Sequence, residues 1–237
     1  MTALATRPAI LIVGASRGLG HAMATEFVKK DWDVVGTVRE EGTLLHDLAM
    51  QYHGQVRIET LDIDSTEQLA AMRQRLYGRT FDMLFVNAGT TNSDPSQTIG
   101  EVSTDDFVRT MITNALSPMR VVEGLASHVT STGLIGVMSS GQGSIANNMS
   151  GMREVYRGTK AALNMYMRSF AVRQAAQTGL SRAFVAMAPG WVRTELGGAD
   201  AHLSIADSIP HLVNTLLAKR ARPGLEFLDY MGRTVPW

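Results

Sequence analysis

The chain has 237 residues, of which 45% are hydrophobic, and its 22 basic side chains balance its 22 acidic ones. This length suits one large domain or two small ones. A net charge of zero gives no electrostatic reason to expect nucleic acid or an anionic membrane as a partner. The absence of cysteine excludes disulfides, thiolate nucleophiles and cysteine metal sites. The six histidines lack ligand spacing such as H-x-x-x-H, so no metal is expected.

The N-terminal stretch MTALATRP is too polar and too short for a signal peptide, and no apolar run approaches membrane-spanning length. We therefore expect a cytoplasmic protein with no membrane partner. The chain contains no evident linker, repeat or low-complexity stretch, which favours a single domain over residues 1–237.

Short apolar runs alternate with longer helical patterns along the chain. Apolar strands separated by helices indicate a parallel sheet covered on both faces. The prediction is an α/β fold, namely one doubly wound Rossmann-type domain with a seven-stranded, mainly parallel sheet. The predicted strands are 9–14, 33–38, 56–63, 81–89, 133–140, 182–190 and 225–230. Five helices are predicted between these strands. The first ends near Lys30, the second lies near 41–52, and the third follows a cap at Ser65 or Thr66. The fourth runs from about Thr104 to His128, and the fifth covers 151–177.

The first predicted strand leads directly into GASRGLG, which carries Gly14, Gly18 and Gly20. A glycine-rich turn at this junction allows the backbone to approach a pyrophosphate, which then lies at the positive end of the following helix. The spacing G-x-x-x-G-x-G is a variant of the dinucleotide-binding fingerprint. A tight structural turn would explain two of the glycines, but the place of the turn in an alternating chain favours cofactor binding.

A second motif, YRGTK, places Tyr156 and Lys160 four residues apart, ahead of a long helical run. Side chains at positions i and i+4 lie on the same face of a helix, so a phenol and an ammonium are predicted side by side. Alone the pattern is weak, because a surface tyrosine beside a solvated lysine has the same spacing. Its weight depends on the other motifs of the chain.

Six motifs in the chain occur in the order and approximate spacing of the short-chain dehydrogenases/reductases. They are GASRGLG, NAG at 87–89, Asn114 in TNALSP, the serine pair 139–140, YRGTK, and PGWVRT at 189–194. The chain resembles this family over essentially its whole length. The segments SSGQGSIANN, PGWVRTEL and DYMGRTVPW most resemble the branch that contains the C-factor and sniffer carbonyl reductases. One departure is Val13, where the family has a threonine that braces the glycine turn; we expect altered local hydrogen bonding rather than lost binding.

The resemblance implies a catalytic role for Tyr156, which would exchange a proton with the substrate oxygen as general acid or base. Lys160 would hold the nicotinamide ribose and, together with the positive nicotinamide, would lower the pKa of Tyr156. Ser140, the second serine of its pair, would hydrogen-bond the substrate oxygen and stabilise charge developing on it. Ser139 and Ser144 remain alternatives for this role.

Asn114 matches the family asparagine that kinks its helix and positions a water linking Lys160 to solvent. A mid-helix polar residue bonded to a backbone group is a simpler interpretation, and it is compatible with the same role. Residues 191–206 are predicted as a mobile lid over the substrate. The candidate substrate contacts are Met149, Met152, Trp191 and His202, each of which could equally be a packing residue.

The remaining matches belong to a cofactor site that the resemblance implies. Asp62, at the end of the third predicted strand, would contact the adenine ring, although it could equally be a carboxylate that precedes a helix. The implied cofactor-binding residues are Gly14, Ser16, Arg17, Gly18, Leu19, Gly20, Arg39, Asp62, Ile63, Asn87, Ala88, Gly89, Tyr156, Lys160, Pro189, Gly190, Val192 and Thr194.

The end of the second strand predicts which dinucleotide is used. An NAD-specific site normally has a carboxylate there, which bonds the adenosine ribose and repels a 2′-phosphate. Here that position is Val38, followed by Arg39, and Arg17 lies in the glycine turn. Two guanidiniums suit a dianionic phosphate, so NADP(H) is expected rather than NAD(H). In the alternative, both arginines are solvated and Glu40 or Glu41 reaches back to the ribose.

These residues together predict an oxidoreductase, a carbonyl reductase or alcohol dehydrogenase, that transfers a hydride between NADP(H) and a small carbonyl or alcohol substrate. The alternative is a dinucleotide-binding signalling or regulatory protein of the C-factor type, with little or no turnover. An epimerase of the extended family shares Y-x-x-x-K but usually carries a longer C-terminal substrate domain. A homodimer or homotetramer is also expected, because family members commonly pair the helices near 104–128 and 151–177 across a two-fold axis.

Overall fold

Seven strands form one sheet in the computed structural model, which describes residues 7–177 and 180–237. The strands are β1 (Ala9–Val13), β2 (Asp33–Val38), β3 (Val56–Thr60), β4 (Phe81–Val86), β5 (Val129–Met138), β6 (Ala183–Ala188) and β7 (Gly224–Asp229). The α-helices are α1 (Gly18–Lys29), α2 (Leu44–Gln51), α3 (Thr66–Arg75), α4 (Thr104–Met111), α5 (Ser117–Leu125), α6 (Glu154–Ala175) and α7 (Ile205–Arg220). Residues 1–6, which belong to the stretch considered above as a signal peptide, and residues 178–179 lie outside the described residues.

The strand order is β3-β2-β1-β4-β5-β6-β7, and each neighbouring pair in this described sheet is parallel. The predicted Rossmann-type fold is therefore confirmed, with a sheet that is parallel throughout rather than mainly parallel. The order reverses between β1 and β4. In open α/β sheets, ligands bind at such a switch point, beyond the carboxyl ends of the strands.

Both faces of the sheet are buried, which explains why the strands are continuously apolar rather than alternating. Successive residues of β1 point to opposite sides, so Leu11 and Val13 enter one apolar layer while Ile10 and Ile12 enter the other. Burial of this apolar surface is the main force that holds the helices on the sheet. No helix of the described chain is long and apolar enough to cross a membrane.

The strand boundaries differ from the predicted ones mainly at the carboxyl ends. β1, β3, β4, β5 and β6 end one to three residues before the predictions, which placed the ends at 14, 63, 89, 140 and 190. The residues beyond each strand leave the sheet to form the site, although they continue the apolar pattern. β5 also begins earlier than predicted, at Val129, after a short 3₁₀ turn that spans Ala126–His128.

The helical predictions also need three corrections. The helix expected over 104–128 is divided into α4 and α5 by a π-helical turn at Ile112–Leu116. The helix expected from 151 begins at Glu154. The sequence reasoning did not predict α7 at all, and residues 205–206 of the expected lid are its first turn. Ser204 caps α7 by exchanging hydrogen bonds with Asp207.

Candidate active site

The catalytic candidates on α6 are buried beneath the carboxyl ends of the strands. Tyr156 is 7% exposed and Lys160 is 3% exposed. The Lys160 Nζ lies 5.6 Å from the centre of the Tyr156 ring and donates a hydrogen bond of 3.0 Å to the carbonyl of Met138, the last residue of β5. The i, i+4 spacing predicted that Tyr156 and Lys160 share one face of α6, and this bond holds that face against the end of β5.

Burial governs the titration of both side chains. It raises the pKa of Tyr156 above its ordinary value and lowers the pKa of Lys160 from 10.5 to about 8. Ser140 and the charge of Arg153 act in the opposite direction on the pKa of Tyr156, but burial outweighs them. The expectation that the pKa of Tyr156 falls is therefore not met by the protein's own groups, because loss of hydration disfavours the phenolate more strongly than these neighbours favour it.

The three candidate serines have different environments. Ser140 interacts with the side chain of Tyr156, and its hydroxyl oxygen also accepts the Gln142 N–H at 3.1 Å. The Ser139 hydroxyl, which is buried, donates to Asn164 Oδ1 at 2.7 Å. Ser144 is also buried, and its hydroxyl accepts the Asn147 N–H. Of the three, Ser140 is the serine that interacts with the candidate acid–base.

Asn114 lies at the centre of the π-helical turn and is fully buried. Its side chain pairs with the backbone of Thr90 in both directions, since Oδ1 accepts the Thr90 N–H at 2.7 Å and Nδ2 donates to the Thr90 carbonyl at 2.8 Å. Nδ2 also donates to Thr159 Oγ1 at 3.0 Å. A side-chain carbon added at Gly89 would lie 3.3 Å from both Asn114 Oδ1 and Lys160 Nζ. The interrupted helix thus brings the asparagine, the lysine and the NAG segment together.

The glycine turn is packed too closely for side chains at two of its positions. A Cβ at Gly20 would lie 2.0 Å from the Gly14 carbonyl oxygen, and one at Gly14, where φ is +88°, would lie 2.9 Å from Ala88. The turn is braced by Thr37, whose hydroxyl accepts the Gly14 N–H at 2.9 Å. This bond comes from β2, while the position where the family has a threonine is the buried Val13.

The other cofactor candidates lie around this turn. Asn87 holds it, because its Nδ2 donates to the Gly14 carbonyl at 2.8 Å, and the N–H groups of Asn87 and Ala88 both donate to the Val13 carbonyl. Ser16 lies in the glycine turn and Leu19 lies in the first turn of α1, and both side chains are half-buried.

The two arginines expected at the phosphate are both exposed. Arg17, which precedes α1, forms an ion pair with Glu195 in the segment after β6. Arg39 follows β2 and has no hydrogen-bond or ion-pair partner within residues 7–177 and 180–237. Asp62 accepts the Asp64 N–H and lies at the start of a turn before α3, while Ile63 is buried in the core.

The segment after β6 folds back on itself. Trp191 and Arg193 are each hydrogen-bonded to Leu203, which lies beside Val192. Gly190 has φ of +84°, and a Cβ there would lie 2.5 Å from Leu203. Two cofactor candidates accept hydrogen bonds: the Pro189 carbonyl accepts the Ser208 hydroxyl, and Thr194 Oγ1 accepts the Gly197 N–H.

The candidate substrate contacts differ in their surroundings. The rings of Trp191 and His202 pack edge to face, with their centres 4.9 Å apart, whereas Met149 and Met152 are exposed.

Sequence reasoning missed residues that position the predicted ones. Thr159 lies inside the YRGTK motif, and its hydroxyl links Asn114 to the Tyr156 carbonyl, to which it donates at 2.8 Å. Asn164 is four residues beyond Lys160, so the helical period that paired Tyr156 with Lys160 would also have found it. No pattern pointed to Arg153, whose guanidinium carbon lies 5.4 Å from the centre of the Tyr156 ring.

A cavity of about 460 Å³ lies elsewhere, between α3 and α5, and is lined by residues such as Leu69, Arg73 and Glu123. Since it contains none of the candidate catalytic residues, we do not assign the chemistry to it. Within the described ranges, no group of three or more histidine, aspartate and glutamate side chains could hold a metal ion.

A glycine turn at the switch point of a parallel sheet, with a buried tyrosine–lysine pair beyond the neighbouring strands, is the arrangement of a Rossmann-type oxidoreductase. Residues 8–202 match the family model described as short chain dehydrogenase, and the chain belongs to this family.

Solved and curated relatives agree with this assignment. A short-chain dehydrogenase/reductase from Burkholderia multivorans with bound NADP is 69% identical, with a TM-score of 0.95, over 98% of this chain and 100% of that one. A carbonyl reductase from Pseudomonas aeruginosa PAO1 in complex with NADP is 31% identical, with a TM-score of 0.88, over 98% and 100%. C-signal from Myxococcus xanthus is 34% identical over 158 residues, which are 66% of this chain and 92% of the relative. The resemblance to the C-factor and carbonyl reductase branch is thus confirmed.

Proposed function

We propose that the protein is an NADP(H)-preferring carbonyl reductase or alcohol dehydrogenase acting on a small carbonyl or alcohol substrate. The observation that carries this proposal is the convergence of Ser140, Tyr156, Lys160 and Asn114 beyond β4 and β5. A single catalytic domain over residues 1–237 is part of the proposal.

The glycine turn fits a dinucleotide. α1 has no acidic residue in its first turn and no side chain capping its N-terminus, so its first N–H groups are available to an anion. A side chain at Gly18 would meet no atom within 4 Å, so the backbone of the turn borders open space. The pyrophosphate would be held there, Asn87–Gly89 would line the cofactor, and Lys160 would hold the nicotinamide ribose.

Tyr156 is the proton donor of the proposed mechanism. When bound, NADPH supplies the hydride that reduces the carbonyl carbon. Because burial raises the pKa of Tyr156, the phenol remains protonated at neutral pH and can give its proton to the carbonyl oxygen. Ser140 hydrogen-bonds the same oxygen and stabilises the charge that develops on it. In the reverse direction Tyr156 accepts the proton of the alcohol.

The preference for NADP(H) is supported by Arg39, an exposed cation at the end of β2 that no carboxylate of the described chain engages. Arg17 is a second cation near the turn, although it shares its charge with Glu195. Two relatives solved with NADP bound support the same assignment. Guanidinium groups form charge-assisted hydrogen bonds with phosphate, and NAD lacks the 2′-phosphate.

A panel of small ketones and aldehydes, assayed by NADPH oxidation, tests the proposal. Turnover of at least one carbonyl, with NADH used less efficiently, is the expected result. Tight NADPH binding without turnover of any carbonyl would contradict it and favour the signalling protein suggested by the similarity to C-signal. That alternative is the weaker one, because every catalytic position of the family pattern is filled.

We extend the proposal to a homodimer or homotetramer in the cytoplasm. The outer face of α6 exposes Met165, Tyr166 and Val172, which are 61%, 49% and 64% exposed. Exposed apolar residues grouped on one helix mark surfaces that associate. A stable monomer in sedimentation at micromolar concentration would contradict the proposed oligomer. Cell fractionation would test the proposed cytoplasmic location.

A further inference from the structure

Arg153 occupies an unusual position beside the candidate catalytic tyrosine. It immediately precedes α6 and has left-handed backbone angles, with φ of 60° and ψ of 43°. This conformation is unfavourable for a residue with a Cβ and persists where the surroundings impose it. Its guanidinium carbon lies 5.4 Å from the centre of the Tyr156 ring, while Lys160 Nζ lies 5.6 Å from that centre. The phenol therefore has two cationic neighbours.

The guanidinium of Arg153 lacks the acceptors that a half-buried arginine normally has. Its Nε is buried without a hydrogen-bond partner, and the described residues provide the side chain with no ion pair. The adjacent carboxylate, Glu154, instead accepts the Ile99 N–H at 2.8 Å. By contrast, the buried Arg182 donates to three acceptors, namely the carbonyls of Thr130 and Val129 and the side chain of Gln174. Buried polar groups without a partner are uncommon and call for an explanation.

The loop that carries Arg153 is held in place by its neighbours. Arg157, one turn into α6, donates from Nε to the Met152 carbonyl at 2.6 Å and from Nη2 to Ser150 Oγ at 2.9 Å. The unpaired guanidinium is thus presented by a fixed backbone. A cation–π contact with Tyr156 accounts for its position over the ring, but it leaves the N–H donors without acceptors.

We propose that Arg153 binds a carboxylate of the substrate, so that the preferred substrates are oxo acids. This inference rests on the proposed function and deepens it. An anion at Arg153 would form charge-assisted hydrogen bonds with the guanidinium and would supply an acceptor for its buried Nε–H. Because the guanidinium carbon lies 5.4 Å from the centre of the ring that carries the proton-donating hydroxyl, we infer that the carboxylate lies within a few carbon atoms of the carbonyl. Reduction converts the oxo group to a hydroxyl and leaves the carboxylate unchanged.

The test compares 2-, 3- and 4-oxo acids (pyruvate, acetoacetate and levulinate) with their methyl esters, using NADPH. The wild type is expected to give a kcat/KM for at least one acid that exceeds that of its ester by about tenfold or more. Arg153→Asn keeps a residue that tolerates left-handed angles and removes the charge. It should lower the acid-to-ester ratio by roughly 10- to 100-fold, and Arg153→Lys should restore part of it. Arg120→Leu, a change at an exposed arginine on α5, is the control and should leave the ratio unchanged.

Two outcomes overturn the proposal: a wild type that prefers the ester at every chain length, or a ratio that Arg153→Asn leaves unchanged. The latter would mean that the guanidinium acts on Tyr156 alone, because acid and ester would then lose rate equally. Saturation-transfer NMR of butyrate on the protein with NADP⁺ needs no turnover, so it tests the anion site independently of the proposed carbonyl reductase activity. If no carbonyl is reduced, butyrate binding that is lost in Arg153→Asn still supports the anion site, and equal binding in both proteins refutes it.

Discussion

Two buried lysines, at opposite ends of the sheet, differ in how many of their ammonium N–H donors are paired with protein acceptors. Lys219 of α7 is fully buried at the start of β7, and its Nζ donates to the carbonyls of Arg222 and Gly224 and to the carboxylate of Glu226. Lys160 is almost as buried beyond the end of β5, but its hydrogen bonds reach a single acceptor, the Met138 carbonyl. An ammonium has three donors, so Lys219 uses all of them and Lys160 does not.

The difference separates a structural end of the sheet from a functional one. At the amino ends of the strands, Lys219 and Arg182 are matched by protein acceptors. At the carboxyl ends, Lys160 and Arg153 keep unused donors in the described structure. Since an under-satisfied buried cation destabilises a fold, its presence is explained if a ligand completes its bonding. The predictions below test this contrast.

The largest effect is expected from Tyr156→Phe. Removal of the phenol oxygen eliminates the proton donor while the ring still packs, so turnover should fall by roughly 10²–10⁴-fold with NADPH affinity within a few-fold of wild type. Tyr166→Phe, on the exposed face of the same helix, is the control and should retain full activity. Steady-state rates and NADPH fluorescence titration measure the two quantities. A Tyr156→Phe protein with more than a tenth of wild-type activity would contradict the assignment.

Arg39→Leu should affect one cofactor selectively. If Arg39 reads the 2′-phosphate, kcat/KM for NADPH should fall by roughly 10- to 100-fold, and kcat/KM for NADH should barely change. Arg120→Leu again serves as an exposed control. Equal losses with both cofactors would indicate that Arg39 supports the fold rather than the phosphate.

The paired substitutions Lys160→Met and Lys219→Met should change stability in opposite directions. Burial depresses the pKa of Lys160 to about 8, so below pH 8 the folded protein bears the cost of a buried charge. Lys160→Met removes that cost and should stabilise the protein at pH 7 by about 1–2 kcal/mol after loss of the bond to Met138. Burial lowers the pKa of Lys219 as well, but Lys219→Met leaves three acceptors unpaired, one of them the Glu226 carboxylate, and should destabilise by about 1–3 kcal/mol.

The pH dependence provides the check on sign. Between pH 8 and 10.5 the unfolded chain keeps a proton on Lys160 that the folded protein has released, so wild-type stability gains from this group as pH rises. The advantage of Lys160→Met should therefore shrink between pH 7 and pH 9.5 in urea unfolding. An advantage that grows with pH, or a Lys160→Met protein that is less stable at pH 7, would refute the interpretation.

The sequence predicted the fold and the main catalytic pair because both depend on local periodicity. Continuous apolar runs identified all seven strands, and the i, i+4 spacing identified the shared face of Tyr156 and Lys160. It could not predict features that depend on tertiary contacts. The apolar pattern continues past β4 and β6, whereas the backbone there turns away to bond the glycine turn and α7. α7 was missed; it contains Pro210, a residue that usually interrupts helices.

Site residues outside the motifs were missed for the same reason. Thr37 braces the glycine turn from a neighbouring strand, and no spacing along the chain links it to Gly14. Arg153 is a single arginine in a polar loop, and the sequence does not reveal its left-handed backbone or its position over the Tyr156 ring. The sequence also gave no indication that Arg17 pairs with Glu195, 178 residues further along the chain.

The smallest expected effect concerns that ion pair. Arg17 and Glu195 are 66% and 74% exposed, so the pair contributes little to folding. The pair should instead affect cofactor binding, because the Glu195 carboxylate competes with the 2′-phosphate for the Arg17 guanidinium. It also places a negative charge near that phosphate. Glu195→Gln should therefore tighten NADPH binding by about two- to fivefold and change NADH binding less. Fluorescence titration at low salt measures the effect, which should shrink at high ionic strength and largely vanish in an Arg17→Leu background. Equal tightening of both cofactors would mean that Glu195 acts through the loop after β6 and not through Arg17.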